Sequence, residues 1–158
     1  MNKYGIATLL EDCPAGYEFI EDNTPLHLTY VDAFEIELAP SEFINKMQHY
    51  FHDQPKFSVM PIADELYGPD KDIPVTVMEL NSALKELHDQ LIKYLESEKA
   101  IFINPQFVGD GYKPHISIYG LRRVAIGEPI TINGVSIGNK RTDIQNPPNR
   151  IIATIPFL

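Results

Sequence analysis

Two stretches of this chain carry apolar residues at helical spacing, and each is set between groups of short strand-like runs. The first, residues 41–52, follows Pro40 and gathers Phe43, Ile44, Met47, Tyr50 and Phe51 on one face, which predicts an amphipathic helix. The second opens at Asn81 or Ser82, either of which can cap it, and carries Leu84, Leu87, Leu91 and Leu95 as a buried stripe. Around them, residues 4–10, 26–31, 57–66, 75–80, 113–119 and 151–157 read as strands, with a further short one at 17–20 inside a turn-rich, acidic loop over 11–24. Residues 130–132 and 135–137 flank Asn133-Gly134, a pair that suits the positive φ angles of a type I′ turn and predicts a hairpin. The order strands, helix, strands, helix, strands predicts an α+β fold with mostly antiparallel sheet. At 158 residues and 44% hydrophobic, the chain is sized for one domain of two closely packed lobes.

Composition narrows the function. The net charge of -9 argues against a protein that grips long duplex nucleic acid through its phosphates. That charge is uneven: residues 1–112 carry -13 and residues 113–158 carry +4. Lys113, Arg122, Arg123, Lys140, Arg141 and Arg150 make up the basic set, which as a group suits a small phosphorylated ligand. Cys13 is alone, so no internal disulfide or cysteine-based zinc site is expected. The first ten residues lack the pattern of a signal peptide and no apolar run approaches the roughly 20 residues of a membrane span. A cytoplasmic monomer without membrane contact is therefore expected.

The chemistry is expected on two strands. Residues 27–30 read His-Leu-Thr-Tyr and residues 115–118 read His-Ile-Ser-Ile. Alternation puts His27 with Thr29 on one face of a strand and His115 with Ser117 on one face of another, each pair backed by apolar side chains. Two imidazoles can serve as general acid and general base at neutral pH, and two hydroxyls can donate to the non-bridging oxygens of a phosphodiester. Lys113 and Arg150 are candidates to assist them, and Tyr30 and Tyr119 adjoin the tetrads and can stack a base, although strand tyrosines also serve as packing. His49 and His52 lie at i and i+3 beside Asp53 but project from the polar side of the first helix with no third ligand, so a solvated face is expected. His88 is expected at the boundary of the leucine stripe.

On these two tetrads the chain resembles the 2H phosphoesterases, the LigT-like or 2′-5′ RNA ligase and cyclic phosphodiesterase superfamily, which is defined by two His-x-Thr/Ser-x motifs. The resemblance spans nearly the whole chain in architecture and is sequence-specific only at the tetrads. It implies a bilobal α+β fold with two mostly antiparallel sheets, helices packed outside and a central cleft. It also implies catalysis by His27, Thr29, His115 and Ser117 with no metal or other cofactor, with His27 as the acid and His115 as the base. The substrate it implies is a cyclic phosphodiester or a 2′-5′ linkage in an RNA end or small nucleotide. Two alternatives stand beside it: a phage or bacterial nuclease for cyclic nucleotide second messengers, and a nucleotide-binding module of the same fold without turnover. Residues 11–24 are shorter and more acidic than the first-lobe helix of larger members. Specificity is expected from loops 11–24, 67–74 and 104–112.

Overall fold

A computed structural model describes residues 1–20, 23–140 and 148–158. Strand β1 (Asn2–Leu9) alternates buried Tyr4, Ile6 and Thr8 with half-buried Lys3, Gly5, Ala7 and Leu9, so it presents one face to a core and the other outward. It is flanked by β3 (His27–Ile36) and by β10 (Gly134–Lys140), both antiparallel. With β2 (Glu18–Phe19), β7 (Ile101–Phe102) and β11 (Asn149–Pro156) they form a six-stranded sheet in the order β2-β11-β10-β1-β3-β7. Strands β5 (Pro61–Tyr67), β6 (Ile73–Met78) and β8 (His115–Ser117) form a second antiparallel sheet in that order, and β4 (Phe57–Val59) pairs with β9 (Ile130–Ile132). The architecture is α+β with antiparallel sheets, as the order of elements implied.

Both helices cover the Tyr4 and Ile6 face of the large sheet. Helix α1 (Pro40–Tyr50) starts on a proline, whose missing N–H costs nothing in a first turn, and buries Phe43 and Met47, with the Phe43 ring stacked on Tyr4 at 4.3 Å. Helix α2 (Ser82–Ser97) is capped by Asn81, whose side chain accepts from the Leu84 N–H. Its C-terminus closes on Lys99 in the left-handed region (φ 63°), with Lys99 N–H donating to Glu96 C=O and Ala100 N–H to Leu95 C=O. Leu84, Leu87, Leu91 and Leu95 are buried, each contributing about 2 kcal/mol of apolar transfer. Among the described residues, no helix is long and apolar enough to cross a membrane.

Several expected elements differ. The run 57–66 is two strands broken at Met60, because β4 pairs with β9 while β5 turns to β6. Strand β3 continues to Ile36, past two irregularities in its pairing with β1, one where Asp32 and Ala33 oppose Gly5 and one where Tyr30 has no opposite residue. The expected hairpin at Asn133-Gly134 does not form: β9 pairs with β4, β10 pairs with β1 and β11, and neither Asn133 nor Gly134 has positive φ. Glycine is needed there for a different reason, since a Cβ on Gly134 would lie 2.6 Å from the Ile155 carbonyl oxygen. The strand expected over 113–119 is three residues long.

Candidate active site

The two tetrads lie on different sheets. His27 opens β3, where it faces Leu9 of β1, and Thr29 faces Ala7. His115 opens β8, where it faces Val77 of β6, and Ser117 faces Val75. Alternation holds at both, with Leu28, Tyr30 and Ile116 buried behind half-buried His27, Thr29, His115 and Ser117. Strand β8 contacts β3, and the two imidazoles are near enough that charge on His115 opposes charge on His27.

The imidazoles are held in one way. His27 Nδ1–H donates to the Pro25 carbonyl and His115 Nδ1–H to the Lys113 carbonyl, each at 2.8 Å and each two residues upstream. Because a carbonyl only accepts, Nδ1 carries the proton in both rings and Nε2 is left to exchange protons with a ligand. A proline stands within two residues before each histidine, at Pro25 and Pro114, and favours the extended backbone from which the ring reaches back. Neither the Thr29 nor the Ser117 hydroxyl has a protein partner among the described residues, so both can donate to a bound oxyanion. The Tyr67 ring packs edge-on to His115 with centroids 4.9 Å apart.

Two clamps hold the halves of the site. Arg122 donates to Glu11 and, at 3.0 Å, to the Thr24 carbonyl, tying the segment after β8 to the entrance of β3; Glu11 also accepts from the Leu26 N–H at 2.6 Å. On the other side Tyr112 Oη–H donates to the Thr29 carbonyl at 2.7 Å, and the Tyr112 ring lies on His88 with centroids 3.9 Å apart. No sequence pattern marks Tyr112, Tyr67 or Glu11, since each acts through a partner that the fold brings in.

Some expectations require correction. Tyr30 is fully buried and its hydroxyl bonds Thr8 Oγ1, so it is a core residue and cannot stack a base. Arg150 is exposed but faces away from the His27 side, because a bulge in β11 beside Gly138 turns Asn149 and Ile151 to that side instead. Arg123 is paired with Asp64 at 2.8 Å and Arg122 with Glu11, so neither is a free cation for a ligand. Arg122 also sits 5.5 Å from the centre of the Tyr119 ring. Lys113 is exposed, and it is its backbone carbonyl that serves His115. Arg141 lies outside the described residues. His49 and His52 are exposed with stacked rings, and among the described residues no three His, Cys, Asp or Glu side chains converge as a metal site.

His88 is not at a boundary. It is 1% exposed, its Nδ1–H donates to the Tyr30 carbonyl at 2.8 Å, and its Nε2 accepts from the Gly109 N–H at 3.0 Å. Burial pushes His88 below the usual imidazole range; Lys85 adds to this, while the Tyr30 bond and Asp89 oppose it. The unfolded chain, with an imidazole pKa near ~6.5, therefore takes up a proton first as pH falls. The stability that neutral His88 contributes is complete above that value and is lost as pH falls through its depressed folded pKa. We expect the melting temperature to drop between pH 7 and pH 5, above the range where Glu11 and Asp64 lose their charge, and the drop to shrink in His88→Gln. An equal drop in that variant would assign the acid sensitivity elsewhere.

One groove of about 840 Å³ runs along the outward face of β1, β3 and β10, with His27 and Thr29 in its wall and His115 and Ser117 outside it. The four tetrad residues thus stand on two neighbouring walls, because β8 pairs with β6 and not with β3.

Solved structures share this architecture. A crystal structure described as a phosphoesterase matches over 99% of this chain and 98% of its own, with TM-score 0.58 and 12% identity. Escherichia coli LigT in complex with 3′-AMP matches over 99% and 98%, with TM-score 0.56 and 13% identity. The Thermus thermophilus protein TT0787 matches over 98% and 97%, with TM-score 0.60 and 13% identity. No family model matches the sequence, and neither does any curated protein. The likeness is one of fold.

Proposed function

We propose, from the premise that this chain has the LigT fold, that it is a metal-independent phosphodiesterase in which His27 and His115 open a 2′,3′-cyclic phosphodiester on a nucleotide or RNA end. The observation that carries this reading is the matched pair of Nδ1–carbonyl bonds, which leaves both Nε2 atoms for proton transfer at adjoining walls. The LigT complex with 3′-AMP supports a nucleotide as the ligand class. In this reading residues 1–158 act as one bilobal, cytoplasmic, monomeric unit, with Lys113 and Tyr119 at the rim.

The surroundings of His27 favour one assignment of the roles. Burial, and then the neighbouring His115, push His27 below the usual imidazole range against the opposing Pro25 bond, so His27 is neutral at neutral pH. That favours His27 as the base and His115 as the acid, the reverse of what the resemblance implies. His27 Nε2 takes a proton from the attacking water as its oxygen bonds to phosphorus. One ring P–O bond breaks, and the leaving ribose oxygen takes a proton from His115 Nε2. Thr29 and Ser117 hydroxyls donate to the non-bridging oxygens, and the two rings regain their protonation states through solvent.

The test is hydrolysis of uridine 2′,3′-cyclic phosphate followed by chromatography of the product. Turnover is expected to survive EDTA and to follow a bell-shaped pH profile with its maximum near neutrality. Complete loss on chelation with recovery on adding a divalent metal would refute the mechanism, as would nucleotide binding with no product under any condition.

A further inference from the structure

At the end of the groove remote from His27, Lys3 of β1 stands directly opposite Lys140 of β10, and both line the groove. Two ammonium groups directly opposed across antiparallel strands repel; Glu35 of β3 stands opposite Lys3 on its other flank, yet among the described residues neither lysine forms an ion pair with a carboxylate. Asn149 of β11 faces Lys140 from the next strand and adds an amide to the same end. The floor towards His27 is made of small residues in register, Gly5 opposite Gly138 and then Ala7 opposite Ser136. With no side chains rising from the glycine pair, a flat ring can lie on the strands there. Ile151 and Val31 give the floor apolar flanks, and Asp32, the only carboxylate in the wall among the described residues, is engaged by Asn104 at 2.6 Å.

We propose that Lys3 and Lys140 form a second phosphate subsite, so that the groove takes a single-stranded nucleotide chain of more than one unit, with one phosphate at His27 and a later one between the two lysines. The ligand class rests on the phosphodiesterase reading above. Lys3 is six positions along β1 from Leu9, which faces His27, a separation of about 20 Å in an extended strand. A mononucleotide held at His27 does not span that length, whereas a short oligonucleotide does, its base lying over Gly5 and Gly138. An anion between the opposed lysines replaces their repulsion with two charge-assisted contacts.

Binding tests this without turnover. Uridine 3′-phosphate and its di- and trinucleotide homologues, each ending in a 3′-phosphate, are titrated calorimetrically into the wild-type protein, Lys3→Gln/Lys140→Gln and Lys93→Gln, the last removing an exposed charge on α2. Wild type and Lys93→Gln are expected to gain roughly tenfold in affinity from mono- to trinucleotide, and the double variant to lose that gain. The salt dependence for the trinucleotide is expected to fall in slope by about 0.7 per lysine removed. No gain in wild type, or an equal gain in the double variant, overturns the subsite; turnover of the cyclic mononucleotide, measured separately, then decides whether the phosphodiesterase reading stands.

Discussion

Replacing His27 or His115 with alanine is expected to lower turnover of a 2′,3′-cyclic phosphodiester by about 10²–10⁴-fold each, the range for loss of one positioned proton-transfer group. In the proposed mechanism both rings act in one displacement, one through the attacking oxygen and one through the leaving oxygen. Removing the second therefore costs little once the first is gone, and the double variant is expected within about tenfold of the weaker single variant. The pH profile separates the roles. With His27 as base, His27→Ala is expected to abolish the acidic limb of the bell and His115→Ala the alkaline limb. Thr29→Ala and Ser117→Ala are expected to cost up to about 10²–10³ in rate, because each removes one donor to the developing charge. Exposed His49 and His52 supply the control, since their replacement touches neither sheet of the site. Full activity in the double His27/His115 variant would end this reading of the chemistry.

Gly111→Ala is expected to be the most damaging small substitution outside the tetrads. A Cβ at Gly111 would lie 1.9 Å from the Gln106 carbonyl oxygen and 3.0 Å from its carbon, both backbone atoms that cannot swing aside. Relief requires moving the two single 3-10 turns at Pro105–Phe107 and Gly109–Gly111 apart. Those turns deliver the Gly109 N–H to His88 and the Tyr112 hydroxyl to the Thr29 carbonyl, so the shift reaches β3 beside the first tetrad. A loss of about 3 kcal/mol is expected by urea denaturation, with reduced turnover in the folded fraction. Gly109→Ala is the comparison: its φ of 70° is strained for alanine but nothing lies within 4 Å, so about 1 kcal/mol is expected. Equal costs at the two positions would show that the turns are not packed as described.

The sequence by itself determined what depends on near neighbours. The leucine stripe from Leu84 to Leu95, a cap at Asn81 or Ser82, and the alternation that turns His27 and Thr29 away from Leu28 and Tyr30 follow from side-chain pattern along one segment, and the antiparallel α+β class follows from the order of such segments. The tetrads were legible for the same reason, since the face shared by residues i and i+2 of a strand needs no knowledge of the rest of the chain.

Only the tertiary structure decided what depends on partners far along the chain. Asn133-Gly134 has the composition of a hairpin, yet β9 and β10 gain more by joining different sheets, and Gly134 answers to a close carbonyl instead of to a turn. Tyr30, beside a catalytic candidate in sequence, is taken by the core through Thr8; Arg150 is turned away from the groove by a bulge; Arg122 and Arg123 are spent on Glu11 and Asp64. His88 reads as a helix-edge residue until Tyr30, Gly109 and Tyr112 surround it. Lys3, at the opposite end of the chain from the basic residues, meets Lys140 because β1 lies antiparallel to β10, and that register sets the far end of the groove. A strand's faces are fixed by local geometry, but its partners are chosen by burial summed over the whole chain, and in this protein the partners arrange the site around the two histidines.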